Sequence, residues 1–196
     1  MGRLIAIEGI DGAGKTTLAA GLARAVPALV VLREPGGAQV SERIRELVKD
    51  PALDVDPRAE ALLYAAARAQ LVGEVLRPLL AAGRDVVLDR YVDSSLAYQG
   101  AGRGLGVADV AAINAFATGG LTADLTFYVR VAPEVGAARR GGEDRLEQAG
   151  EAFFATVVAA YDALAEQERD RYVVLDGAAP PDEILEQALT VMNRLQ

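Results

Sequence analysis

Leu4-Ile5-Ala6-Ile7-Glu8-Gly9-Ile10-Asp11-Gly12-Ala13-Gly14-Lys15-Thr16-Thr17 is the stretch from which the rest of the chain can be read. An apolar run, Leu4 to Ile7, leads into the pattern G-x-x-x-x-G-K-[ST] at Gly9–Thr16, and a helical spacing of Leu18, Gly21, Leu22 and Ala25 follows. Strand, glycine-rich loop and helix in that order is the setting in which this spacing has a mechanism. The loop aims backbone N–H groups at one point, and the helix N-terminus adds partial positive charge there. Lys15 adds a full charge, and the Thr16 hydroxyl suits a magnesium ion. The alternative, a turn of small residues with no ligand, fits this context poorly. The stretch predicts a nucleoside-triphosphate site built from Gly9, Ile10, Asp11, Gly12, Ala13, Gly14, Lys15, Thr16 and Thr17.

Outward from the loop, strand-like and helix-like stretches alternate. Strands are expected at 3–8, 28–33, 85–89, 125–131 and 172–175. Helices are expected at 15–26, 39–48, 58–82, 93–98, 107–117, 133–139, 151–169 and 182–194, with Asp56 as cap and Pro57 as first residue of the third. A glycine-rich loop is expected at 100–106. Such alternation predicts an α/β fold of P-loop NTPase type, a five-stranded parallel sheet with helices on both faces, and a single domain over 1–196 with a short mobile lid at about 137–150. Ligands then bind at the carboxyl ends of the strands.

Composition narrows the chemistry. The 196 residues include no cysteine and no histidine, and the formal charge is −8. Without histidine, catalysis falls to carboxylates, arginines, lysine, hydroxyls and bound metal. The acidic balance disfavours nucleic acid and anionic membrane as partners. The longest apolar stretch, 61–82, is interrupted by Arg68, Gln70, Glu74, Arg77 and Pro78, and the N-terminus lacks a secretory pattern, so a cytoplasmic protein is expected.

A second site is expected where the other strands end. Asp89 closes Val86-Val87-Leu88, placed to hold magnesium through water, and the planar fork of Arg90 suits phosphate oxygens. A strand-end salt bridge is the structural alternative. Arg33 and Glu34 precede Gly36 and Gly37, which allow close approach to a ligand, or else form an ordinary turn with a solvated ion pair. Tyr64 and Arg68 share a helix face and suit a nucleobase, or are simply a half-buried tyrosine beside a surface arginine. Ser94, Ser95, Tyr98, Gln99 and Arg103 make a polar set after Asp89, or are simply a solvated helix and loop. Arg139, Arg140 and Arg145 flank Gly141-Gly142, where a flap could carry them to transferring phosphate charge, or they are a charged, exposed loop.

Together the segments IEGIDGAGKTT (7–17), REPGG (33–37), YAAARAQ (64–70), LDRYVDSSLAYQGAGRGLG (88–106) and DRLE (144–147) with Phe153-Phe154 resemble the thymidylate kinases, nucleoside monophosphate kinases of the P-loop class. The resemblance implies transfer of the γ-phosphoryl of ATP to dTMP, giving ADP and dTDP for dTTP synthesis, with Mg2+ and a homodimer. It implies that Lys15 and the loop amides hold the ATP phosphates and that Thr16 and Asp89 hold the metal. Asp11 would reach the sugar 3′-hydroxyl or the metal shell, and Arg33 and Arg90 the acceptor phosphate. Tyr64 would stack on thymine, Arg68 donate to a thymine carbonyl, and Ser95 meet the base edge. Tyr98 would crowd a ribose 2′-hydroxyl, and Glu34, Ser94 and Gln99 complete the dTMP site. Lys15, Arg90, Asp89, Asp11, Arg139, Arg140 and Arg145 are the implied catalytic groups. Gly12, in place of an arginine after Asp11, goes with a lid that supplies the arginines. Leu32 and Arg130 depart from the family pattern. A kinase of another small acceptor and a nucleotide-dependent switch protein remain rival readings of the residues.

Overall fold

The computed structural model describes residues 1–139 and 150–194. Its centre is a five-stranded parallel sheet in the order β2-β3-β1-β4-β5, with β1 at Leu4–Glu8, β2 at Val30–Arg33, β3 at Val86–Asp89, β4 at Leu125–Arg130 and β5 at Tyr172–Asp176. The three inner strands are apolar on both faces because helices cover both, and alternate residues serve alternate cores. Ile5, Ile7, Val87, Phe127 and Val129 belong to the larger core, while Leu4, Ala6, Val86 and Leu88 belong to the smaller one.

The helices are α1 (Lys15–Ala25), α2 (Gln39–Lys49), α3 (Pro57–Leu71), α4 (Arg77–Ala81), α5 (Val92–Ser95), α6 (Val107–Thr118), α7 (Pro133–Arg139), α8 (Glu151–Gln167) and α9 (Pro181–Arg194). The Asp56 carboxylate caps α3, accepting from the backbone N–H of Arg58 at 2.8 Å and Ala59 at 3.4 Å, and Pro57 takes the first turn, where its missing N–H costs nothing.

Two expected elements differ. The single helix over 58–82 is α3 and α4 joined by a π-helical stretch at Val72–Leu76. Pro78 has no N–H to give and its ring would crowd the carbonyl one turn back, which the wider turn before it accommodates. The glycine-rich segment expected as a loop continues α5 as a second π-helical stretch, Leu96–Gly102. Glycine reads as a helix breaker, but packing decides here: a Cβ on Gly102 would lie 2.7 Å from the Phe153 ring, and one on Gly100 would lie 3.1 Å from the Val107 backbone. This stretch thereby packs closely against α8 and α6 and brings Tyr98 and Gln99 to the mouth of the sheet.

Candidate active site

Strand register assembles the site. Asp89 lies level with Ile7 on one side and with Arg33 on the other, so the residues after β1, β3 and β2 emerge together. The loop between β1 and α1 turns on Gly9, Gly12 and Gly14, all at positive φ. Lys15 is buried and donates to the Ile10 carbonyl at 2.8 Å. Burial, with the charge of Arg90 adding to it, pushes its amine down to about 8 against the pull of Asp11. Thr16 Oγ1 donates to Asp89 Oδ2 at 2.8 Å.

Arg90 is the hub of the next layer. It is the non-glycine residue with positive φ among those described, at 73°, a conformation that turns its side chain back over the loop. Its guanidinium donates to Gly9 O at 3.0 Å, Ser94 Oγ at 3.1 Å, Asp11 Oδ1 at 2.6 Å and Tyr98 Oη at 3.3 Å. Tyr98 in turn donates to Asp11 Oδ2 at 2.9 Å. Burial raises the Asp11 carboxyl, but the charges of Arg90 and Lys15 and the bonds from Tyr98 and Arg90 outweigh it and hold the group well below the usual carboxylate range. Beneath them Glu8, fully buried, accepts from the Tyr91 N–H, from Ser94 Oγ and from Tyr161 Oη at 2.7, 2.6 and 2.8 Å. Burial, then the nearby Asp93 charge, lifts the Glu8 carboxyl to about 7, against the pull of Ser94, Arg90 and Tyr91.

Arg68 is not the surface arginine of the alternative reading. It is 2% exposed, its Nε donates to Glu34 Oε2 at 2.7 Å, and a terminal nitrogen forms the ion pair with the same oxygen at 2.6 Å. It also donates to Ser95 Oγ at 2.9 Å, to Asn114 Oδ1 and to the Tyr91 carbonyl at 2.9 Å. Glu34 Oε1 is buried with no partner. Burial raises the Glu34 carboxyl and Arg68 opposes that rise. Neither is Glu34 the partner of Arg33, which instead meets Glu42 at 3.3 Å in the open.

Two cavities meet at the loop. One is walled by Arg33, Glu34, Tyr64, Arg68, Asp89, Arg90, Ser94, Ser95, Tyr98 and Gln99, so it gathers the residues expected at the second site except Arg103, which turns instead to Glu60. The other is walled by Gly12, Ala13, Gly14, Thr17 and Arg139. Asp11, Lys15 and Thr16 line both. Gly9 and Ile10, at the start of the loop, give their carbonyls to Arg90 and Lys15 respectively and line neither cavity. Gly12 presses on α7: a Cβ there would stand 2.4 Å from Gly136 O and 3.1 Å from Arg139 Cβ, so a longer side chain has no room. Arg139 itself donates to Gly177 O at 2.9 Å beside the second cavity. Arg140 and Arg145, with the expected lid core, lie outside the described residues.

Sequence reading missed part of both walls. Pro35, Arg45 and Lys49 line the first cavity. Arg45 and Lys49 are one turn apart on α2, a spacing that could have marked them as a basic face. Gly177, Ala179, Pro181 and Ile184 line the second, from the turn after β5 and the start of α9.

For Mg2+, the described residues hold no cluster of three or more histidine, cysteine or acidic groups. The Thr16 hydroxyl and the Asp89 carboxylate still fit the ion, which keeps most of its waters and takes phosphate oxygens with one or two protein ligands. No helix among the described residues is long and apolar enough to cross a membrane.

Residues 7–188 match the family model for thymidylate kinase. The chain is 51% identical to a thymidylate kinase of Deinococcus radiodurans, covering 93% of this chain and 92% of that one. It is 44% identical to a thymidylate kinase of Lactobacillus helveticus, covering 98% and 96%. The crystal structure of thymidylate kinase from Ehrlichia chaffeensis superposes with a TM-score of 0.80 at 26% identity, over 97% of this chain and 98% of that one.

Proposed function

The chain belongs to the thymidylate kinase family, ATP-dependent kinases that phosphorylate dTMP to dTDP for dTTP synthesis, and from that premise we propose how its two cavities divide the reaction. The cavity bounded by Gly12–Thr17 takes ATP, and the cavity bounded by Arg68, Arg90 and Tyr98 takes dTMP. One observation carries this: Asp11, Lys15 and Thr16 wall both cavities, so two nucleotides would meet phosphate to phosphate over them. Phosphoryl transfer needs an in-line meeting of donor and acceptor oxygens and little covalent help. The acceptor is already an anion near neutral pH, which suits a chain without histidine.

Each group then has a task. Lys15 and the loop amides grip the ATP phosphates, and Arg139, with Arg140 and Arg145, adds positive charge where negative charge develops on the transferring phosphoryl. Arg90, held by Asp11 and the Gly9 carbonyl, reaches the dTMP phosphate together with Arg33 by giving up its bonds to the Ser94 and Tyr98 hydroxyls. Tyr64 stacks on the base, and Arg68, Ser95 and Gln99 meet its edge. A thymine carbonyl reaches Arg68 by sharing an N–H or by displacing the Ser95 hydroxyl. Tyr98 crowds the place of a ribose 2′-hydroxyl. Mg2+ held at Thr16 and Asp89 would neutralise phosphate charge. A cytoplasmic setting and a single domain belong to the same reading.

ADP release scored with dTMP, dUMP, dCMP, dGMP, AMP and thymidine tests the assignment. The highest kcat/KM is expected for dTMP. Thymidine turned over as well as dTMP would mean that the Arg90 side of the cavity does not hold a phosphate.

A homodimer is part of the proposal. It is supported by apolar residues left open on the packed pair α3 and α6, Leu62 at 55% exposure and Phe116 at 92%. Sedimentation should give twice the chain mass, and Phe116→Glu should shift it toward the monomer. A wild-type monomer at micromolar concentration would remove the dimer from the proposal.

A further inference from the structure

Gln99 is held from behind. Its side chain is buried at the wall of the cavity assigned to dTMP, and its amide nitrogen donates to Glu60 Oε1 at 2.9 Å. Glu60, fully buried in α3, also accepts from Arg103 Nε at 3.3 Å and from Arg103 Nη2 at 3.1 Å. A carboxylate only accepts, so the Gln99 amide cannot turn over without setting oxygen against oxygen. The end that Gln99 keeps for a ligand is therefore its carbonyl, an acceptor. The neighbouring guanidinium of Arg68 can only donate.

That order of donor and acceptor distinguishes pyrimidines. Thymine and uracil carry a proton on N3 beside an accepting O4. Cytosine has a bare N3 beside a donating amino group. The geometry points to Glu60 as a positioning residue that sets base choice: by fixing the Gln99 amide it makes the site reject 4-amino pyrimidine monophosphates. This rests on the dTMP site proposed above, and deepens it.

The test compares kcat/KM for dTMP and dCMP in the wild type, in Glu60→Gln and in the paired exchange Glu60→Gln with Gln99→Glu. An amide at position 60 accepts or donates, which frees Gln99 to reverse. The preference for dTMP over dCMP should then fall by about tenfold or more, the scale of discrimination by one buried polar contact. A general loosening of the fold would lower both substrates together and leave the ratio in place. The paired exchange puts a donor behind and an acceptor-only group at the cavity, and should restore the preference. Glu60→Gln with the wild-type ratio, or a paired exchange no more selective than the single variant, overturns the assignment. Should Glu60→Gln fail to fold, the paired exchange carries the test alone, and a tenfold loss of preference there overturns it. A wild-type protein that ignores dTMP would instead overturn the function proposed for the cavity.

Discussion

Lys15→Ala should lower kcat by about a thousandfold or more and leave the fold in place. The expected loss follows from position. Lys15 stands where the two cavities join, buried, with its amine bonded to the Ile10 carbonyl. A positive group fixed beside transferring phosphate in a water-poor site acts without reorganising, and single donors or arginines in that role contribute roughly 10²–10⁵ in rate. The fold loses one hydrogen bond to a neutral carbonyl, worth about 1 kcal/mol, and the attraction between Lys15 and Asp11, where Arg90 remains as counter-charge. Removing the cation also relieves a buried charge that Arg90 already disfavours. Thermal unfolding alongside single-turnover kinetics checks both halves. A variant that turns over within tenfold of the wild type would take Lys15 out of the phosphate site.

Local signals were the legible ones. The loop, Asp89 and Arg90 could be read from sequence because each is set by its own neighbours: a strand ends, and the next residue faces the sheet's mouth. The Asp56 cap and Pro57 are local in the same way. What sequence did not settle depends on partners far along the chain. Glu34 reads as the neighbour of Arg33, yet it pairs with Arg68, and Arg33 turns to Glu42. Tyr64 and Arg68 do share a helix, but Arg68 is buried among Ser95, Tyr91 and Asn114, which come from two other segments. Arg45 and Lys49 enter the cavity because α2 packs beside α3, a fact with no local mark. The glycines of 100–106 pointed to a loop because their role, close packing on Phe153 and Val107, appears only when α8 and α6 are in place.

Arg68→Met should be the costliest single change to stability, and it separates folding from binding. Arg68 and Glu34 are both almost wholly buried, and Glu34 Oε1 already lacks a partner. Removing the guanidinium leaves a carboxylate in the wall with no counter-charge, together with unpaired acceptors at Ser95, Asn114 and Tyr91. Breaking one side of such a pair costs about 3–5 kcal/mol, mostly from the charge left behind rather than from the pair's net worth. Adding Glu34→Gln to Arg68→Met should therefore recover a large part of the loss. dTMP binding should not recover, because the donor proposed for the base is still missing. Urea midpoints read the first effect and calorimetric titration with dTMP the second. A single variant destabilised by less than about 1 kcal/mol would contradict the buried charge pair. A double variant that binds dTMP as the wild type does would remove Arg68 from base recognition and leave it a purely structural cation.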